Sequence, residues 1–166
     1  RYAPKPAVVD GSIYLPVEGL EAPDQSVLLA LDAEDGTEQW RRPLDGGVES
    51  APAVANGRVY VGMPDGAVVA VDRDTGAVDW RTDAVKGINK SPGRAAGRVV
   101  VVDVFGTLYG LDAQAGTVEW TVDATPPNRT RPVAGGGTVV LSGDSLLAVD
   151  AETGQRQWDY RMTGVA

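Results

Sequence analysis

Residues 71–80 read Val71-Asp72-Arg73-Asp74-Thr75-Gly76-Ala77-Val78-Asp79-Trp80: an aliphatic residue and an Asp, then a Gly, then a Trp four residues on. The same phrase stands at Leu31-Asp32-Ala33-Glu34-Asp35-Gly36 before Trp40, and at Leu111-Asp112-Ala113-Gln114-Ala115-Gly116 before Trp120. It returns at Val149-Asp150-Ala151-Glu152-Thr153-Gly154 before Trp158. Four instances of aliphatic-Asp-x-x-x-Gly-x-x-x-Trp in 166 residues, each about 40 residues from the last, define an internal repeat.

A second phrase recurs upstream. Pro6, Pro52, Pro92 and Pro132 each open a short run reaching Gly11, Gly57, Gly97 or Gly137. Apolar stretches follow at Ile13-Tyr14-Leu15, Val59-Tyr60-Val61, Val99-Val100-Val101 and Val139-Val140-Leu141. A third apolar stretch runs at 28–31, 68–71, 108–111 and 146–149. Each unit therefore predicts four short strands. In the second unit these are 52–55, a turn at Asn56-Gly57, 58–62, a turn at Pro64-Asp65-Gly66, 67–72, the Asp72–Gly76 turn, and 77–82. Asn-Gly between apolar runs is the strongest short hairpin signal, and an Asp carboxylate accepts backbone N–H bonds across a turn. No helical period is sustained. The reading is an all-β chain: one repeat domain over residues 1–166, a β-propeller of four four-stranded antiparallel blades at about 1–44, 45–84, 85–124 and 125–166.

Composition narrows the function classes. The formal charge is −8, with the acids spread along the chain, which disfavours nucleic acid as a partner. Cys and His are absent, which removes thiol and Ser–His nucleophiles, imidazole and thiolate metal sites, and disulfides. No apolar run approaches the ~20 residues of a membrane span. The chain opens on Arg1 without a Met, so it is expected to be a processed or excised piece. Asp72/Asp74, Asp32/Asp35 and Asp150/Glu152 resemble acid–base or calcium pairs. They recur at equivalent turns, where Asp is needed for turn hydrogen bonds, and none has EF-hand spacing. Neither a catalytic residue nor a metal ligand is expected.

The Asp-x-x-(Thr/x)-Gly-x-x-x-Trp phrase resembles the tryptophan-docking motif of the quinoprotein (PQQ-type) β-propeller repeat family, and the resemblance covers nearly the whole chain. Residues 71–80 and 149–158 match best, with Thr75-Gly76 and Thr153-Gly154. Asp35 and Ala115 stand at the Thr position of the other two, whose turns are expected to lose a hydroxyl bond. The resemblance implies that each Trp lies on an outermost strand and stacks over backbone near the Gly of a neighbouring blade. It thus assigns Asp32, Gly36, Trp40, Asp72, Gly76, Trp80, Asp112, Gly116, Trp120, Asp150, Gly154 and Trp158 to blade-to-blade docking. Family members that use PQQ are dehydrogenases of about eight blades, with an axial calcium and a vicinal disulfide. This chain has no Cys, four blades and no Trp left over for a quinone, so no cofactor and no enzymatic activity are expected. The alternative is a fragment of a PQQ-dependent dehydrogenase. Non-enzymatic members include scaffolds of outer-membrane protein assembly and sensor propellers attached to bacterial serine/threonine kinases. The resemblance therefore implies a bacterial, extracytoplasmic (periplasmic or cell-surface) binding or sensor scaffold. Four blades are half of an eight-blade ring, or a small ring. The chain runs between unit boundaries without a split blade, so a homodimer or further blades would complete it.

Function in a repeat protein resides where one unit departs from the others. The first blade carries about six extra residues, read as an acidic connection over 16–26. Phe105, the only Phe, stands in a turn of the third blade. The connections into each innermost strand differ most and place Glu49, Asn89, Lys90, Asn128, Arg129 and Arg131 at the channel mouth, with Lys5 at the comparable place in blade one. Arg94 replaces the Val8, Val54 and Ala134 of the other innermost strands and is expected to face the channel. A basic cluster on an acidic protein suits a protein partner or a small anionic ligand.

Overall fold

The computed structural model describes residues 4–20, 25–83, 86–124, 130–143 and 145–161. Among these, sixteen strands form four antiparallel sheets and no helix occurs. The first sheet contains β1 (Ala7–Val9), β2 (Ser12–Glu18), β3 (Ser26–Asp32) and β4 (Glu38–Leu44). The second holds β5 (Ala53–Ala55), β6 (Arg58–Gly62), β7 (Val68–Asp72) and β8 (Val78–Thr82). The third holds β9 (Gly93–Ala95), β10 (Arg98–Val102), β11 (Thr107–Asp112) and β12 (Val118–Asp123). The fourth holds β13 (Val133–Gly135), β14 (Thr138–Ser142), β15 (Ser145–Asp150) and β16 (Arg156–Arg161). Strands neighbour one another in chain order within every sheet, which is the up-and-down meander of a propeller blade.

Turn chemistry sets this register. Asn56 and Gly57 have φ of 50° and 73°, the paired left-handed geometry of a type I′ hairpin, and Val54 then faces Val59. Ala96 takes the same φ, 48°, without the short polar side chain that eases it. At the second turn the Asp72 carboxylate accepts from the Asp74 and Thr75 N–H groups at 3.2 and 2.8 Å and from the Thr75 hydroxyl at 2.6 Å. Asp150 repeats all three bonds, and Asp112, followed by Ala115, keeps only the two from N–H groups. In the first blade Asp32 keeps the two N–H bonds, from Glu34 and Asp35, and Asp35 in turn receives the Thr37 N–H and hydroxyl. These bonds hold the Asp72, Asp112 and Asp150 carboxyls below the ordinary carboxylate value. The leading causes are the Thr75 hydroxyl at Asp72, the Ala115 N–H at Asp112 and the Thr153 N–H at Asp150.

One expectation is corrected in the first blade. Residues 16–18 and Ser26 are not loop: Pro16, Val17 and Glu18 pair with Leu28, Val27 and Ser26, because an apolar Val17–Val27 pair extends the β2–β3 hairpin. Beyond the hairpin Gly19 donates to the Gln25 carbonyl at 2.9 Å, and residues 21–24 lie outside the described residues.

The core lies between the sheets. Tyr14, Leu28, Ala30 and Trp40 of the first blade pack on Val59, Val61, Val69 and Val71 of the second. Tyr60, Val68 and Ala70 pack on Val99, Val101 and Leu111 of the third, and Val100, Leu108 and Trp120 on Val139, Leu141 and Val149 of the fourth. Each joint carries the same lock. The Trp40 indole lies on Gly76, where an added Cβ would stand 2.7 Å from the ring, and its Nε1 donates to the Arg73 carbonyl at 2.8 Å. Trp80 lies likewise on Gly116 and donates to Ala113, and Trp120 lies on Gly154 and donates to Ala151. Only glycine permits an indole that close. Trp158 departs from the expected blade-to-blade contact: it is 47% exposed, because no described blade follows the fourth.

Candidate functional site

The innermost strands β1, β5, β9 and β13 follow one another around a common centre, and each is only three residues long. Between them lies an open cavity of about 1080 Å³. Its lining includes Lys5, Glu49, Asn89, Lys90, Arg94 and Arg131 together. A Pro opens each inner segment, and the residue before it is held extended. This is how Lys5 and Arg131, preceding Pro6 and Pro132, come to the rim. Arg94 pairs in register with Val99 and is exposed on the channel side. Asn128 and Arg129 lie outside the described residues.

Most of the arginines away from this face are ion-paired. Arg41, Arg58, Arg73, Arg81, Arg98 and Arg156 each meet a carboxylate. Arg42 donates to the Gly76 carbonyl. Among the described residues, Lys5, Lys90, Arg94 and Arg131 meet no carboxylate, and Glu49 is the only acid lining the cavity. Four uncompensated cations thus converge at the centre of an acidic chain. Arg98 also lines the cavity, but Asp112 and Glu119 hold its guanidinium at 3.7 and 2.5 Å.

Phe105 is not part of this cavity. It sits 66% exposed in the turn between β10 and β11, with the Lys86 ammonium 5.8 Å from its ring centre, a cation–π contact. Buried Asp103 shapes that turn by accepting from the Phe105 and Thr107 N–H groups at 2.9 and 2.8 Å and from the Tyr109 hydroxyl at 3.1 Å. Burial and this carboxylate push the Tyr109 phenol up from its ordinary value. Neither Asp103 nor Lys86 was singled out from sequence, although Asp103-Val104-Phe105-Gly106 is a recognisable Asx-turn phrase.

The arrangement can hold an anion by charge, but the described channel residues do not by themselves make a calcium–quinone centre. Calcium requires six to eight oxygens, rich in carboxylate. The channel face offers one carboxylate, and among the described residues no cluster of three or more His, Cys, Asp or Glu could hold a metal ion. Each Trp, moreover, lies on an outermost strand, away from the channel.

Four meander sheets stacked through Trp–Gly locks define a β-propeller of the PQQ-repeat type. Residues 3–90 and 64–166 match the family described as outer membrane protein assembly factor BamB, and the chain belongs to that family. Among solved structures it resembles BamB from Moraxella catarrhalis, at 20% identity and a TM-score of 0.82, over 95% of this chain and 48% of that one. It also resembles a quinohemoprotein alcohol dehydrogenase from Pseudomonas putida HK5, at 23% identity and a TM-score of 0.74, over 95% of this chain and 34% of that one. The corresponding enzyme of Comamonas testosteroni matches at 20% identity and a TM-score of 0.75, over 98% and 35%. The chain therefore spans about half the length of these structures or less. No curated protein matches its sequence.

Proposed function

We propose that the chain is a non-catalytic, extracytoplasmic scaffold whose channel face binds an acidic segment of a partner protein. The observation that carries this reading is the convergence of Lys5, Lys90, Arg94 and Arg131, unpaired, on one cavity of a chain whose net charge is −8. Membership of the BamB-described family supports the scaffold role. The unsuitability of the channel residues for calcium argues against the dehydrogenase alternative. A partner segment would lie across the inner strands, its carboxylates facing the four cations, with Asn89 offering further hydrogen bonds.

The test titrates this chain with a short acidic peptide, a basic peptide of equal length and inorganic polyphosphate, and repeats the series with the Lys90→Ser/Arg94→Ser variant. Solvent-exposed charge pairs contribute about 0.2–1 kcal/mol each, so the double change should weaken acidic-peptide binding by roughly 2–30-fold. Tighter binding of polyphosphate than of peptide would point to a small anion instead. Equal affinity for acidic and basic peptides, or no loss in the variant, would overturn the reading.

A further inference from the structure

At the turn between β10 and β11 the ordinary placement of polar and apolar side chains is inverted. In the second blade the corresponding turn, Met63-Pro64-Asp65-Gly66, buries Met63 and exposes Asp65. In the third, Asp103-Val104-Phe105-Gly106, Asp103 is buried and Phe105 exposed. Stability gives no reason for this exchange, since burying a carboxylate and exposing an aromatic both cost free energy. Departures of this kind from local rules mark functional positions in a fold that otherwise obeys them. Asp103 offsets its burial through the Phe105 and Thr107 N–H groups and the Tyr109 hydroxyl, and the turn is tied down further. Gly106 donates to the Asp103 carbonyl at 3.2 Å, and Val104 donates to the Gly87 carbonyl at 3.1 Å. Phe105, with exposed Val104 beside it, is thus a firmly held apolar knob. Its blade packs on a described blade at either side, so its exposure does not depend on where the arc ends.

The knob stands on the face of the channel mouth. In a meander sheet the second turn and the connection entering the first strand lie at the same end, and the Val104–Gly87 bond joins the two directly. That connection brings Lys86 over the Phe105 ring and is pinned by the Ile88 N–H donating to the Met63 carbonyl at 3.0 Å. It then supplies Asn89 and Lys90 to the channel lining. Lys86 and Lys90 are at most about 14 Å apart, the reach of four extended residues. We infer, resting on the acidic-segment reading of the channel face, that the same partner segment carries a bulky apolar residue about four or five residues from its carboxylates, and that this residue packs on Phe105 and Val104. The two lysines along that path set the charge of the occupant. The ring sets the need for an apolar group, since a uniformly polar segment would leave Phe105 in water.

Fluorescence anisotropy of two labelled peptides tests this. Both carry the same run of aspartates followed by the same short glycine-serine spacer; one then has leucine and the other serine. The leucine peptide should bind this chain about threefold to tenfold more tightly, the worth of partly burying an aliphatic side chain. Phe105→Ser should abolish that preference and leave the affinity for the serine peptide unchanged, and Phe105→Leu should keep most of it. Far-UV circular dichroism checks that the variants fold. Equal affinity of the unaltered chain for the two peptides, or a preference that survives Phe105→Ser, would overturn this inference alone. An equal loss for both peptides in Phe105→Ser would assign the ring a structural role and would overturn it too. Unchanged affinity of both peptides for Lys90→Ser/Arg94→Ser would overturn the channel reading and this inference with it.

Discussion

Gly36 and Gly76 share a backbone conformation, with φ of 74° and 69°, and differ in what lies above them. Replacing each with Ala therefore separates backbone strain from docking. An L-residue in this left-handed region costs about 1–2 kcal/mol, and that cost falls on both variants alike. At Gly76 the new methyl would stand 2.7 and 2.8 Å from Cε3 and Cδ2 of Trp40, so the indole must lift. A buried Trp removes ~150–250 Å² from water, worth about 4–6 kcal/mol at 25 cal/mol per Å². Lifting the ring by a fraction of an ångström to 1 Å forfeits a quarter to a half of its contact energy, about 1–3 kcal/mol. Loss of the Trp40–Arg73 hydrogen bond adds about 1 kcal/mol. Gly76→Ala should thus cost about 3–6 kcal/mol and Gly36→Ala about 1–2 kcal/mol. Urea unfolding followed by far-UV circular dichroism, at a concentration where sedimentation shows single chains, measures both. Nearest-neighbour coupling in repeat folds further predicts that Gly76→Ala broadens or splits the transition, because it uncouples the first blade from the second. Equal costs at the two positions would refute the view that the indole is seated on Gly76.

Two further outcomes follow from the turns. The carboxyls of Asp72, Asp112 and Asp150 are held below their ordinary value, so their contribution to stability is present above about pH 4 and is lost as the pH falls through the lower folded value. Urea midpoints should decline over that acid window and Asp72→Asn should flatten the decline; a midpoint independent of pH there would contradict the turn-bond account. Ala96→Asn restores the Asn-Gly pair of the second blade at a residue with φ of 48°, and should raise stability by about 0.5–1 kcal/mol in the same unfolding assay; a loss would mean that the hairpin is not type I′.

Four repetitions of one phrase made the blades legible, because turn chemistry and apolar alternation agree at every level. Residues 58–62 form a strand as read, whereas Pro52 falls outside β5, having no N–H to give the ladder. The extension of β2 through Pro16 was hidden because proline and glutamate there read as loop, while the pairing of Val17 with Val27 depends on a strand ten residues away. At the site, sequence could place Lys5, Lys90 and Arg131 on connections that differ between units and Arg94 on an innermost strand, but it could not say which bases are neutralised. Arg73 meets Asp10 from 63 residues away, and Arg58 meets Asp79 across its own blade; both partnerships are products of the stacked meander.

That distribution bears on the kind of partner the channel can take. Beyond about 8–10 Å in physiological salt, an approaching polyanion senses the summed acidic surface and is repelled. Within the cavity it meets, among the described residues, four unpaired cations, the ion-paired Arg98 and one acidic side chain of the lining, Glu49. Attraction is therefore confined to what fits between the inner strands, and a long uniform polyanion such as duplex nucleic acid would pay repulsion along the whole outer surface for a contact it can reach with few of its phosphates. A short acidic stretch on an otherwise uncharged or basic partner incurs no such penalty. On the proposed reading, the lack of carboxylate partners at Lys5, Lys90, Arg94 and Arg131 sets both the place of binding and the class of ligand, while the docking indoles and glycines hold the blades in order.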